Sequence, residues 1–140
     1  MEEAGGTLVD TNILVSKKLK ALLTLGGQLY VTPVVLLEYI TWALESRNRR
    51  LAEGDYERAR GYERLIKLLP SLLQELSIEV IEQGLEVEDL KEAVNLILHR
   101  SVDPGDALNA ITARKKGLKV ITQDRDWQRL KDCAKEVILL

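Results

Sequence analysis

The chain has 140 residues, 46% of them hydrophobic, with 20 Lys and Arg against 22 Asp and Glu, so it reads as one domain over 1–140 without the global basicity of a nucleic-acid binder. One cysteine, Cys133, and one histidine, His99, exclude an internal disulfide framework and zinc sites built from four Cys or from paired Cys and His. No apolar run approaches the roughly 18 residues of a membrane span, and an acidic start, Met1 followed by Glu2 and Glu3, is the wrong charge for a secretory signal, so no membrane and a cytoplasmic location are expected.

Short apolar or β-branched runs predict five strands, at Thr7 to Val9, Gln28 to Thr32, Ser77 to Glu82, Lys119 to Thr122 and Glu136 to Leu139. Helical spacing fills the intervals. Ile13 to Leu25 reads as one helix stopped by Gly26 and Gly27. Thr32 and Pro33 open the next, since Thr caps free N–H groups and proline fits the first turn. Glu53 to about Leu76 reads as two polar-rich helical stretches with bends or breaks at Gly61 and Pro70. Glu86 to His99 is a further helix, and Asp103 with Pro104 starts the last, which ends before Gly117. Such alternation with short links predicts an α/β fold with a mainly parallel sheet covered on both faces. The carboxyl ends of its strands then share one edge.

Four carboxylates sit in semi-apolar settings near that edge. Asp10 ends the first strand, with helix N-capping as its competing role. Glu38 lies in a helical stretch of Val, Leu, Tyr, Ile and Trp, where a lone carboxylate is costly unless paired. Asp106 is either the return partner of a capping box with Asp103 or a group held at the sheet edge by the small residues Ala107, Ala110 and Ala113. Asp126 reads as a cap for the segment through Trp127 and Leu130, whereas Asp124 has no local structural role in view. Brought together, these acids cannot all ionise without a cation, and an oxygen-only set suits Mg²⁺ or Mn²⁺ rather than zinc. Two basic clusters, Arg47, Arg49 and Arg50, and Arg114 with Lys115 and Lys116, are either solvated helix ends or phosphate contacts.

Leu8 to Leu14, Thr32 to Glu38, Asp106 to Ala113 and Ile121 to Trp127, in this order, resemble the motifs of the PIN-domain nucleases, in particular the small single-domain type typified by VapC toxins. The resemblance implies a PIN-like three-layer α/β/α fold with a parallel five-stranded sheet in order 3-2-1-4-5, and a metal-dependent ribonuclease. It implies Asp10, Glu38, Asp106 and Asp124 as the acidic quartet, Asp126 as an additional metal-side acid, and Asn12 and Thr122 as supporting polar groups. Trp127 stands where the family usually has Phe, and the charged interval before Leu76 is longer than a minimal member needs, so that against the family residues 53–76 read as a projecting helical insertion for dimerisation or for a partner.

The expected chemistry is hydrolysis of an RNA phosphodiester, leaving a 5′-phosphate, with one or two Mg²⁺ or Mn²⁺ ions on Asp10, Asp106 and Asp124 and with Glu38 completing the shell or orienting water. No histidine base is required. Arg47, Arg49, Arg50, Arg100, Arg114 and Lys115 are candidate phosphate contacts, and Trp42 is either core or a stacking platform for a base. Expected partners are RNA, a second copy of the chain joined through Leu36 to Leu44 and Tyr56 to Leu69, and a VapB-like antitoxin. The alternatives are an RNA-processing nuclease of the same fold or a non-catalytic RNA-binding scaffold. An aspartate phosphotransfer enzyme is disfavoured, because Asn12 occupies the place of its second Asp.

Overall fold

The computed structural model describes residues 5–140 of the chain. Five parallel strands, β1 (Thr7–Val9), β2 (Leu29–Val31), β3 (Ile78–Val80), β4 (Lys119–Thr122) and β5 (Val137–Leu139), form one sheet in the order β3-β2-β1-β4-β5. Parallel strands need crossovers, and these are supplied by α1 (Thr11–Val15), α2 (Pro33–Ala52), α3 (Tyr56–Glu75), α4 (Val87–Arg100) and α5 (Pro104–Lys116). From β1 the order runs through β2 to β3 on one side and through β4 to β5 on the other. The sheet therefore has its switch point between β1 and β4, where open α/β sheets leave a crevice at the carboxyl ends of their strands.

The alternation of side chains along a strand divides the core in two. Leu8 and Val120 point to the face covered by α4 and α5, where they meet Leu96, Ala107, Ala110, Ile111, Trp127 and Leu130. Val9, Val31 and Ile121 point to the other face and meet Ile13, Leu14, Leu22, Val35, Tyr39, Leu69 and Leu73. Each large apolar side chain buried in this way contributes about 1.5–3 kcal/mol. The central strands are closed on both faces, in keeping with their unbroken apolar runs.

Thr32 caps α2 by accepting the Val35 N–H, with Pro33 in the first turn, and its hydroxyl donates to the buried Asn109 Oδ1 at 2.7 Å, tying the start of α2 to α5. Asp103 caps α5, and Gly117 closes it at φ 66°, a left-handed conformation.

Two expectations are corrected. The stretch Ile13 to Leu25 is a short α-helix followed by a 3-10 helix, Lys17–Thr24, broken at Ser16, whose extended backbone and hydroxyl cap the second piece. The 3-10 spacing of three residues is close enough to 3.6 that the apolar pattern alone does not separate them. Residues 56–75 form one continuous helix rather than two, because Pro70 stands on the exposed face, where a carbonyl left without its donor meets water. The carboxyl half of this helix buries Leu69 and Leu73 in the sheet core, and only towards its start is the buried residue as small as Ala59.

Candidate active site

At the carboxyl edge of β1, chain direction and hydrogen bonding place Asp10 before any ligand arrives. Its Oδ1 accepts the Thr11 N–H at 2.8 Å, and its Oδ2 accepts the Thr122 hydroxyl at 2.7 Å and Asn12 Nδ2 at 3.2 Å. Thr122, fully buried at the end of β4, also accepts the Asp124 N–H at 2.9 Å, while Asn12 Oδ1 accepts the Gln123 N–H at 3.0 Å. The ends of the two central strands are thus laced together around one carboxylate. Burial raises the Asp10 carboxyl above the usual range, and the bonds from Thr122 and Thr11 oppose that rise.

Glu38 enters from α2. Its Oε1 accepts the Thr11 hydroxyl at 2.6 Å, so Thr11 holds Asp10 through its backbone and Glu38 through its side chain. Burial raises the Glu38 carboxyl, with Asp10 and Asp103 adding to the rise and the Thr11 bond opposing it. Asp106, in the first turn of α5, is the extreme case. Burial, then the charges of Asp10, Asp103, Asp124 and Glu38, push its carboxyl up to about 8. Among the described residues it has no hydrogen-bond partner, and the capping box with Asp103 is not made, since Asp103 accepts the Gly105 N–H instead.

Asp124 completes the group and is itself the N-cap of the 3-10 helix Arg125–Leu130, accepting the Asp126 N–H at 2.8 Å. The capping role expected of Asp126 falls to Asp124, which lines the cleft as well. Asp126 is exposed and points to Arg129 at 3.8 Å. It does not line the cleft.

That cleft has a volume of about 550 Å³ and is lined by Asp10, Thr11, Asn12, Val15, Ser16, Glu38, Trp42, Asp103, Asp106, Gln123 and Asp124. It therefore gathers the four acids singled out in the sequence and adds Asp103, which reads in the sequence as an ordinary cap. Thr11, between Asp10 and Asn12, likewise carries no signal of its own in the sequence, yet it lines the cleft and bonds Glu38. Trp42 is half-buried in the cleft wall, tilted against Tyr39 at 5.8 Å and edge-on to Tyr62 at 5.6 Å.

The basic candidates lie elsewhere. Arg47 pairs with Glu63, Arg50 with Glu53, Arg100 with Asp132, Arg114 with Glu92 and Lys115 with Asp89, and Arg49 is exposed on α2; none of them lines the cleft. His99 is exposed on α4.

No lysine or arginine among the cleft residues neutralises five carboxylates, and every oxygen donor there is hard, so the lining fits Mg²⁺ or Mn²⁺ in kind. Among the described residues, however, no three acids are already drawn together as ligands of one ion. Hydrogen bonds fix Asp10 and, through Thr11, Glu38, while Asp106 has none among the described residues.

A family model for the PIN domain matches residues 7–132. The chain belongs to the PIN-domain family. PIN domains are nucleases and generally use divalent metals. No curated protein sequence matches this chain significantly. Among solved structures, this PIN domain is similar to PAE2754 from Pyrobaculum aerophilum, with a TM-score of 0.59 and 23% identity over 96% of this chain and 88% of that one. It is also similar to VapBC2 from Rickettsia felis, solved bound to a DNA fragment from its promoter, with a TM-score of 0.62 and 16% identity over 96% and 97% of the two chains. VapBC-5 from Mycobacterium tuberculosis, a member of the VapBC family of toxin–antitoxin systems, matches with a TM-score of 0.59 and 19% identity over 98% and 100%. At such identities the likeness speaks for the fold. Among the described residues no helix is long and apolar enough to cross a membrane.

Proposed function

We propose that this PIN domain is a Mg²⁺- or Mn²⁺-dependent endoribonuclease, the cytoplasmic toxin of a VapBC-type pair. The observation that carries the reading is a cleft at the switch point of the sheet that holds five carboxylates and no cationic side chain. Asp10, Asp106 and Asp124 would hold the cation, and Glu38 would complete its oxygen ligands or orient a water. When bound, the cation supplies Lewis acidity and offsets the charge of the phosphodiester as it is cleaved. The chain's own part is to hold Asp10 rigid through Thr11, Asn12 and Thr122, to keep Glu38 beside it, and to present Asp106 with its oxygens free.

The kinship in fold to VapBC proteins supports an antitoxin partner. A second copy of the chain is accommodated by the outer faces of α2 and α3, where Leu37 is 66% and Tyr56 61% exposed. Arg47, Arg50 and Arg114 contact RNA phosphates only if their present ion pairs yield, whereas Arg49 is exposed on α2.

Cleavage of structured RNAs in Mn²⁺ or Mg²⁺ tests the reading, with Asp10→Asn and Asp106→Asn as comparisons. Variants that cut as well as the parent refute it. One observation favours a second reading, an RNA-docking scaffold: the acids are not drawn up as ligands of one ion among the described residues. A chain whose melting temperature does not rise with Mn²⁺ supports the scaffold over the enzyme.

A further inference from the structure

Gly105 occupies the second position of α5, directly after Pro104, and its φ is not in the left-handed region. Nothing in the backbone there calls for glycine, and alanine is the better helix former. The reason lies in what the missing side chain leaves room for. A Cβ at Gly105 would stand 2.5 Å from Glu38 Oε2, 3.2 Å from Glu38 Cδ and 3.1 Å from Asp103 Oδ2, the first of these inside the 3.0 Å limit that Cβ atoms respect. On its other side, Glu38 Oε1 takes the Thr11 hydroxyl at 2.6 Å.

We propose that Gly105 is a positioning residue: its bare backbone and the Thr11 hydroxyl form the two sides of a seat that sets the Glu38 carboxylate in the acidic cleft. The seat spans three elements, since Thr11 opens α1, Glu38 lies on α2 and Gly105 lies in α5. A methyl group at position 105 meets the far end of a flexible side chain rather than backbone. Glu38 therefore swings away, and the fold stays. In a glycine-containing first turn the carboxylate approaches the main chain as closely as the absence of a Cβ allows.

The consequence for metal binding rests on the metal-dependent reading above; the geometry of the seat does not. Two arms keep the two apart. In the first, the crystal structure of the metal-free Gly105→Ala variant is determined. The expected result is a Glu38 side chain that has left Thr11, in a protein that melts no lower than the parent. Glu38 still bonded to Thr11 overturns the proposal.

In the second arm, Mn²⁺ affinity is measured for the parent, Gly105→Ala, Glu38→Ala and the double variant. Gly105→Ala is expected to weaken Mn²⁺ about tenfold, the scale of losing a partner that orients a ligand, and to have no further effect once Glu38 is alanine. An equal loss in the Glu38→Ala background overturns the proposal, because Gly105 then acts through the backbone. A parent that binds no Mn²⁺ overturns the metal-dependent reading instead, and the crystal structure still decides the seat.

Discussion

The end of β1 and the start of α5 each carry a carboxylate into the same cleft, yet they treat it in opposite ways. Asp10 is buried with three donors on its two oxygens, from Thr11, Asn12 and Thr122. Asp106 is surrounded by four other acids and, among the described residues, has no donor at all. One half of the site is built without a ligand, and on the proposed metal-dependent reading the other half becomes favourable only when a cation binds. On that reading a rigid anchor would fix where the ion sits. An unsatisfied carboxylate opposite makes the site empty at a cost, so that binding and stability are coupled.

The comparison is broken most directly by neutralising each carboxylate in turn. Asp10→Asn and Asp106→Asn are both expected to lower metal-dependent RNA cleavage by about a hundredfold or more, the upper end of what losing even an outer partner of a ligand costs. Their effects on the metal-free fold should have opposite signs. An amide at position 10 turns its NH₂ towards a donor, and a buried group left unmatched in this way costs about 1–3 kcal/mol. An amide at position 106 loses no bond and removes a like charge, so thermal unfolding in chelator at alkaline pH should show it more stable than the parent. Two variants that destabilise alike would dissolve the distinction between the anchor and the responsive half.

The pH dependence follows from the same asymmetry. Asp106 has its folded-state pKa raised from 3.8 to about 8, so the folded protein holds this proton more tightly than the unfolded chain does. Its contribution to stability is present in full below about pH 3.8 and is lost as pH rises through about 8. Metal-free protein should therefore melt lower at pH 8.5 than at pH 6, the parent losing more than Asp106→Asn over that window. Saturating Mn²⁺ should remove the difference, because the cation favours the ionised form. A parent and an Asp106→Asn variant whose melting curves shift in parallel with pH would show that this carboxyl is not the group responsible.

A smaller effect is expected at Thr122, on which the anchor half depends. Thr122→Val removes the 2.7 Å bond to Asp10 and the acceptor for the Asp124 N–H in a fully buried position. The loss of stability should be about 1–3 kcal/mol by denaturant unfolding. Thr122→Ser, which keeps the hydroxyl, should recover most of the Mn²⁺ affinity. Affinity unchanged in Thr122→Val would mean that Asp10 does not need its lacing.

How far the sequence discloses this arrangement depends on what kind of signal each part emits. The starts of α2 and α5 are legible, because Thr32 with Pro33 and Asp103 with Pro104 are local chemistry that survives any tertiary context, whereas the sheet order comes only with the resemblance to the PIN-domain motifs. The continuity of α3 through Pro70 is not, since it turns on which face of the helix meets water. Asp10, Glu38, Asp106 and Asp124 stand out because a carboxylate among apolar neighbours demands a reason. Asp103 and Thr11 do not, because capping explains the first and a loop position the second. Their place in the cleft comes only from packing α1, α2 and α5 against one another. The arginines mislead for the converse reason. Clustering in sequence says nothing about Glu63, Glu53 or Glu92, which arrive from other turns and helices to pair with Arg47, Arg50 and Arg114.

Asp126 offers the smallest and most discriminating test, because the motif and the geometry disagree about it. By its place in the motif it would be one more acid on the cation. In the fold its backbone N–H is spent on capping from Asp124, and its side chain is exposed beside Arg129. Asp126→Asn keeps the N–H and so leaves the cap intact. Stability should then stay within about ±0.5 kcal/mol of the parent, as for other surface substitutions, and Mn²⁺ affinity should not change. Asp124→Asn weakens the cap and removes a cleft carboxylate together. If Asp126→Asn instead lowered Mn²⁺ affinity as far as Asp124→Asn, the 3-10 turn would have to rotate on binding, and the responsive half of the site would extend from α5 to the end of β4.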